Sequence, residues 1–153
     1  MTNLNKIKNK LVNEFVTNNL KNNQNADITV LQFIADFMYV GRNKKDMMRR
    51  ADYLTETFRA GYCYYFAHIL QKAFPNGSVC WAAPFGHLIF MYAHIPYDIE
   101  GVYVGEAEYF IPEEYLGRTV EDFLHIRGVA HNATEQELTH IIEKYKKDKL
   151  LNV

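Results

Sequence analysis

Three residues in the middle of the chain have the types and order for nucleophilic catalysis: Cys63, His87 and Asp98. A thiolate attacks an acyl carbon, a histidine takes and returns the proton, and a carboxylate orients the histidine. Cys63 stands two positions after Gly61, at the start of a helical stretch expected over Cys63–Phe74. Unpaired backbone N–H groups and the positive end of the helix dipole lie at such a start. Both favour a thiolate over a thiol, and a neighbouring imidazolium favours it further. The N–H groups of Cys63 or Tyr64 would also hold an oxyanion formed on attack. His87 opens an expected strand 24 residues later, and Asp98 follows after 11 more. If residues 88–98 fold as a hairpin with an even-numbered loop, that odd separation puts His87 and Asp98 on one face. A turn at Tyr92-Ala93 sets them directly opposite, and a turn at Ala93-His94 leaves them one diagonal step apart. A three-residue loop would put them on opposite faces.

Each residue also has a plainer reading. Cys63 shares a helical stripe with Phe66, Ala67 and Leu70, so it could fill a core. His87 could be an ordinary hydrogen-bonded strand histidine, and Asp98 could cap a turn after Pro96. Cys80 lies in an apolar strand beside Trp81 and reads as core. Cys63, Cys80, His87 and His94 lack the paired spacing of a zinc site, and the zinc-deaminase signature is absent, so neither metal nor cofactor is expected. Tyr62 and Tyr64 flank Cys63 and are the candidates for substrate contact. The eleven tyrosines suit a groove that grips a peptide or a protein, and they equally suit a small sheet edge. The basic run Lys44, Lys45, Arg49, Arg50 reads as a solvated helix face or a dock for a phosphate-bearing or acidic partner.

The order of cysteine at a helix start, histidine on a following strand and aspartate on the next resembles the papain-like and transglutaminase-like superfamily of cysteine hydrolases. The local wording is similar to that of small bacterial and phage members: Gly-x-Cys-x-x-x-Ala at 61–67, Phe74-Pro75, Gly86-His87, and Tyr-Asp-Ile-x-Gly at 97–101. The resemblance covers about residues 60–105. It implies an α+β fold with the cysteine helix packed on a small antiparallel sheet. It also implies attack on an amide or thioester, with Cys63 as nucleophile, His87 as base and Asp98 as orienting carboxylate. Two positions depart from the papain pattern: Tyr64 stands where a Trp follows the cysteine, and Thr57 stands where a Gln donates to the oxyanion.

These residues need elements to hold them. Leu4, Ile7, Leu11 and Phe15 make a helical stripe near the N-terminus. Asp27 is the expected cap of a second helix that buries Val30, Leu31, Ile34, Phe37 and Met38 and closes at Gly41. A third helix is expected over about 45–58 and the fourth over Cys63–Phe74. After the Pro75-Asn76-Gly77 turn signal, strands are expected at 78–83, 87–92, about 97–104 and near 108–111. Thr119 with Asp122 and Thr134 with Glu137 resemble capping boxes, and a last helix is expected over about 135–150. Helices, a strand meander and helices again make an α+β arrangement in one domain, 1–153. Its parts are a helical N-terminal part (1–60), a cysteine-and-strand part (61–111) and a C-terminal helical part (112–153).

Composition narrows the partners. The chain has 48 % hydrophobic and 23 % charged residues, a globular mix that argues against wholesale disorder. Seventeen basic against eighteen acidic residues give a charge of -1, so no nucleic-acid partner is expected. The apolar runs are too short for a membrane span. No targeting segment is legible, so the expected location is cytoplasmic, with both cysteines reduced. The expected function is a cysteine hydrolase or acyltransferase acting on an amide, isopeptide or thioester bond, with a protein or peptide as substrate. The alternative is a catalytically silent protein-binding module on the same fold, such as a phage or mobile-element inhibitor of a host system.

Overall fold

Apolar spacing and caps account for the helices. The computed structural model describes residues 2–59, 62–83 and 87–116. Helix α1, Asn3–Asn22, starts at Thr2, whose hydroxyl accepts the N–H of Asn5, and buries Leu11, Val12, Val16 and Asn19. Helix α2, Ile28–Met38, is capped by the Asp27 carboxylate, which accepts the N–H of Val30 at 3.1 Å. It buries Val30, Leu31, Ile34, Ala35 and Met38, at the three- and four-residue steps of one helical face. It ends at Met38, three residues before the expected Gly41, because Tyr39 leaves the helical region (φ −91°, ψ 70°) and the Val40 N–H turns to the Met38 carbonyl instead of reaching back four residues. Helix α3 spans Lys44–Arg59 and helix α4 spans Cys63–Ala73. Arg50, from the basic run, does not simply face solvent: its guanidinium donates to the Phe37 carbonyl and stacks on the Phe37 ring.

The strands are β1 (Ser78–Ala83), β2 (His87–Tyr92), β3 (Ile95–Asp98), β4 (Gly101–Val102) and β5 (Tyr109–Pro112), followed by a 3-10 turn at Glu113–Leu116. They form one antiparallel sheet in the order β4-β3-β2-β1-β5. The fold among the described residues is therefore α+β, with four helices and a five-stranded sheet. The two expected capping boxes, the last helix, Gly61 and Gly86 lie outside the described residues.

One expected strand is two. Residues 97–104 read as a single extended run because Tyr97, Ile99, Val102, Tyr103 and Val104 favour strands. Instead the chain reverses at Ile99-Glu100, pairing Asp98 with Gly101. The reversal has two causes. The Asp98 carboxylate accepts the Glu100 N–H at 2.8 Å, a local turn that competes with extended pairing. Gly101 has φ +101°, a conformation that side-chain-bearing residues avoid, and a Cβ there would strike the Asn19 side chain.

Alternation sorts the sheet into two faces. Val79, Trp81 and Ala83 of β1, Leu88 and Phe90 of β2, and Ile95 and Tyr97 of β3 belong to the apolar clusters shared with the helices. Cys80, Ala82, Ile89 and Asp98 lie on the other face and are buried too. Tyr97 ties the layers together, its hydroxyl accepting the Asp27 N–H at 2.8 Å. Asn19 ties α1 to β4: it accepts the buried Val102 N–H at 2.8 Å and donates to the Phe15 carbonyl. Replacing Asn19 with Ala strands that N–H in the interior, and urea unfolding is expected to show a loss of about 2–3 kcal/mol. A loss under about 0.5 kcal/mol, the level of a neutral surface change, would contradict this anchoring role.

The β2–β3 connection is the two-residue turn Ala93-His94, with φ of 49° and 68°. Two positive values in succession are the signature of the hairpin turn that favours Asn-Gly. Neither Ala nor His holds that conformation cheaply. The double change Ala93→Asn and His94→Gly is expected to stabilise the fold by about 1–2 kcal/mol, read as a higher denaturant midpoint at unchanged slope. An unchanged or lower midpoint would mean that the native side chains compensate for the strain.

Candidate active site

The turn at Ala93-His94 places the candidate residues. The registers Phe90↔Tyr97 and Tyr92↔Ile95 put His87 one diagonal step from Asp98, on the same face. The imidazole Nε2 lies 3.0 Å from Asp98 Oδ2, while Oδ1 of the same carboxylate accepts the Glu100 N–H. Asp98 therefore caps its turn and orients the histidine at once. It is only 8 % exposed.

Cys63 arrives from the helix side. In a hairpin with a two-residue loop, Tyr92 and Ile95 form the hydrogen-bonded pair, so every second residue back along β2 points its N–H toward β3. The Leu88 N–H is the third in that series, but β3 has ended at Asp98 and offers it no carbonyl. It donates instead to Cys63 Sγ at 3.5 Å. The first residue of α4 is thus docked against the open end of the β2–β3 ladder, next to His87. With Nε2 engaged by Asp98, Nδ1 is the nitrogen left for Cys63.

The electrostatics follow from this placement. Burial on its own lowers the proton affinity of His87. Hydrogen bonding to Asp98 and to Cys63, with the negative charge of both, outweighs it, and the imidazole is pushed up to about 9. At neutral pH the ring therefore stands as an imidazolium between two groups that carry negative charge when ionised. The charges that act on Cys80 are those of Glu113 and Glu114. Burial raises its thiol, and its sulfur lies 3.9 Å from the Ser78 hydroxyl, so the two cysteines occupy opposite kinds of environment.

Of the two candidate contact tyrosines, Tyr62 is at the surface and Tyr64 is 6 % exposed. The surface partner of Tyr62 is Tyr65, stacked on it with ring centroids 6.0 Å apart. Tyr64 packs inward against His68 at 4.3 Å, and His68 in turn holds Glu113 at 2.9 Å. Tyr64, although next to Cys63 in sequence, turns inward from the surface pair. Around a helix, Tyr62 and Tyr65 share a side, three residues apart.

Other residues border the site. A pocket of about 530 Å³ opens on His87 and Asp98, bordered by Asn22, Arg59, Glu100 and Tyr103. Arg59, at the end of α3, pairs with Glu100 at 3.6 Å across its rim. The signal for Arg59 was its position four residues before Cys63. The signal for Tyr103 was the glycine two residues later, which lets the ring lie close to the backbone.

Fold and site together define an α+β protein in which a cysteine, a histidine and an aspartate meet at one end of an antiparallel sheet. Residues 40–122, more than half of the chain and including all three, match the model of the Phage YunG-like protein family. The chain belongs to that family. No curated protein and no solved structure matches it. No helix among the described residues is long and apolar enough to cross a membrane.

Proposed function

We propose that this protein is a cysteine hydrolase or acyltransferase acting on an amide, isopeptide or thioester bond, built on a papain- or transglutaminase-like arrangement. One observation carries the reading: His87 is held between Asp98, at 3.0 Å, and Cys63, at the N-terminus of a helix. Buried structural histidines and cysteines have no need of that sequence of partners. In the proposed mechanism the Cys63 thiolate, paired with the His87 imidazolium, attacks the acyl carbon. His87 delivers its proton to the leaving amine or thiol, then takes one from water or an acceptor amine that attacks the thioester. Asp98 keeps the ring in place and favours its charged state. The substrate reaches this end of the sheet beside the Tyr62–Tyr65 pair, which suits a peptide or protein.

A second reading has an observation of its own. Cys63 is 6 % exposed, and its sulfur accepts a backbone N–H, which a purely structural cysteine would also do. On that reading the protein is a binding module. Mass spectrometry separates the two after incubation with a panel of acyl thioesters and glutamine-containing peptides. The enzyme acquires an acyl mass on Cys63 that is absent in Cys63→Ala. A chain that stays unmodified by the whole panel is the binding module.

A further inference from the structure

The connection from β4 to β5 crosses the sheet from one edge to the other, and it carries Tyr103 onto the histidine. The strand registers explain where the ring lands. Ala82 pairs with His87 on one side and with Phe110 on the other, so these three side chains form one row on the face away from the helices. The Tyr103 ring packs on both ends of that row, 5.5 Å from the His87 ring at an angle of 34° and 6.2 Å from Phe110 edge-on. Backbone bonds fix the crossing at its two ends: Tyr103 N–H to the Pro96 carbonyl at 2.8 Å and Glu108 N–H to the Ala83 carbonyl at 2.9 Å. Gly105 leaves room for the phenol, since a Cβ there would strike the Tyr103 hydroxyl.

We propose that Tyr103 is a positioning residue whose ring seals one side of the His87–Asp98 hydrogen bond and fixes the imidazole plane that faces Cys63. The consequence for catalysis rests on the reading of the site given above. The seal itself is a property of His87 and stands apart from it. The groups that face or border His87 are Cys63 from α4, Asp98 from β3, Tyr103 from the crossing segment, and the Arg59–Glu100 pair at the pocket rim. Water admitted to the pair relieves the burial that opposes the charged ring, and it also screens the Asp98 and Cys63 charges that favour it. Since the second effect prevails in the closed site, solvation returns the imidazole toward its ordinary value. The phenol itself stays neutral across this range, because burial and the Asp98 charge push its ionisation upward.

The test is an NMR titration of the histidine ring nitrogens in the full chain, with iodoacetamide labelling of Cys63 alongside. Tyr103→Ala is expected to lower the proton affinity of His87 by about tenfold. Tyr103→Phe, which keeps the ring, is expected to titrate like the unmodified chain. Gly105→Ala displaces the ring without deleting it and is expected to act like Tyr103→Ala at smaller amplitude, which keeps the test alive if Tyr103→Ala fails to fold. His87 titrating identically in all variants overturns the seal, as does an equal drop in Tyr103→Ala and Tyr103→Phe, which would assign the effect to the hydroxyl. A shifted titration in a chain whose Cys63 labels like an ordinary thiol upholds the seal and removes the catalytic reading.

Discussion

Cys63 is expected to lose about a hundredfold in its rate of reaction with iodoacetamide, measured near pH 6, when His87 is replaced by Ala. Cys80 is expected to be as slow in the variant as in the parent. The magnitude follows from the thiolate fraction: an isolated thiol with a pKa near 8.5 is ionised to about 0.3 % at that pH, so an imidazolium partner can raise the reactive fraction by at most a few hundredfold. His87 is the right partner because Asp98 holds it charged, with Nε2 and Oδ2 3.0 Å apart. Cys80 is the internal standard, buried among apolar strands with its thiol pushed up by burial and by the Glu113 and Glu114 charges. Against a true acyl substrate the same substitution is expected to cost about 10²–10⁴ in rate, the usual contribution of a positioned acid–base. Asp98→Asn should fall between, since an amide still orients the ring and no longer favours its charge. Equal labelling of Cys63 in parent and His87→Ala would leave the binding-module reading in possession of the site.

Stability is expected to fall as pH rises from about 6.5 to about 9, and His87→Gln is expected to flatten that slope. The folded state holds the His87 proton up to about 9, while the unfolded chain releases it near 6.5. A group whose value is raised on folding contributes stability that is complete below its unfolded value and is lost as pH climbs through the folded one. The interval corresponds to roughly 3 kcal/mol. The His87 side chain is 18 % exposed, so solvent screening takes little from this figure. The measurement is urea unfolding at three pH values between about 6 and 9 in parent and variant. Above this window the buried Cys80 and Tyr97 and the half-buried Tyr103, all raised by burial, begin to add slopes of their own. A parent chain with a flat profile from 6 to 9 would contradict the ion-paired state of His87.

Much of this site is legible in the sequence. The helix start at Cys63 and the bounds of β1 and β2 follow from apolar periodicity, a glycine break and a turn signal, all of them local. The relation of His87 to Asp98 was legible up to the choice of turn. A same-face pair requires an even-numbered loop, but the sequence around Ala93-His94 contains no glycine or asparagine to mark which residues bend, or how many. The conformation is imposed by the flanking pairs, which outweigh the local cost at Ala93 and His94. The division of residues 97–104 into β3 and β4 was hidden for a related reason. Ile99 is apolar and fully buried although it sits in a turn, so side-chain type there reports burial and not backbone. Tyr103 and Asn19 were out of reach because their partners lie across the sheet or on α1, at sequence separations that periodicity does not see.

The Ala93-His94 loop has one more consequence, for the kinds of sequence change this family can absorb. Substitutions there alter only strain. A gain or loss of a single residue would rotate everything after it by half a pleat, sending the Asp98 carboxylate to the helix side while His87 stays behind. A change of two residues restores the phase and costs only a diagonal step. Relatives that keep the histidine–aspartate pair should therefore differ in this loop by even-numbered insertions and deletions or by none. An odd-numbered one marks a lineage in which the pair has been given up.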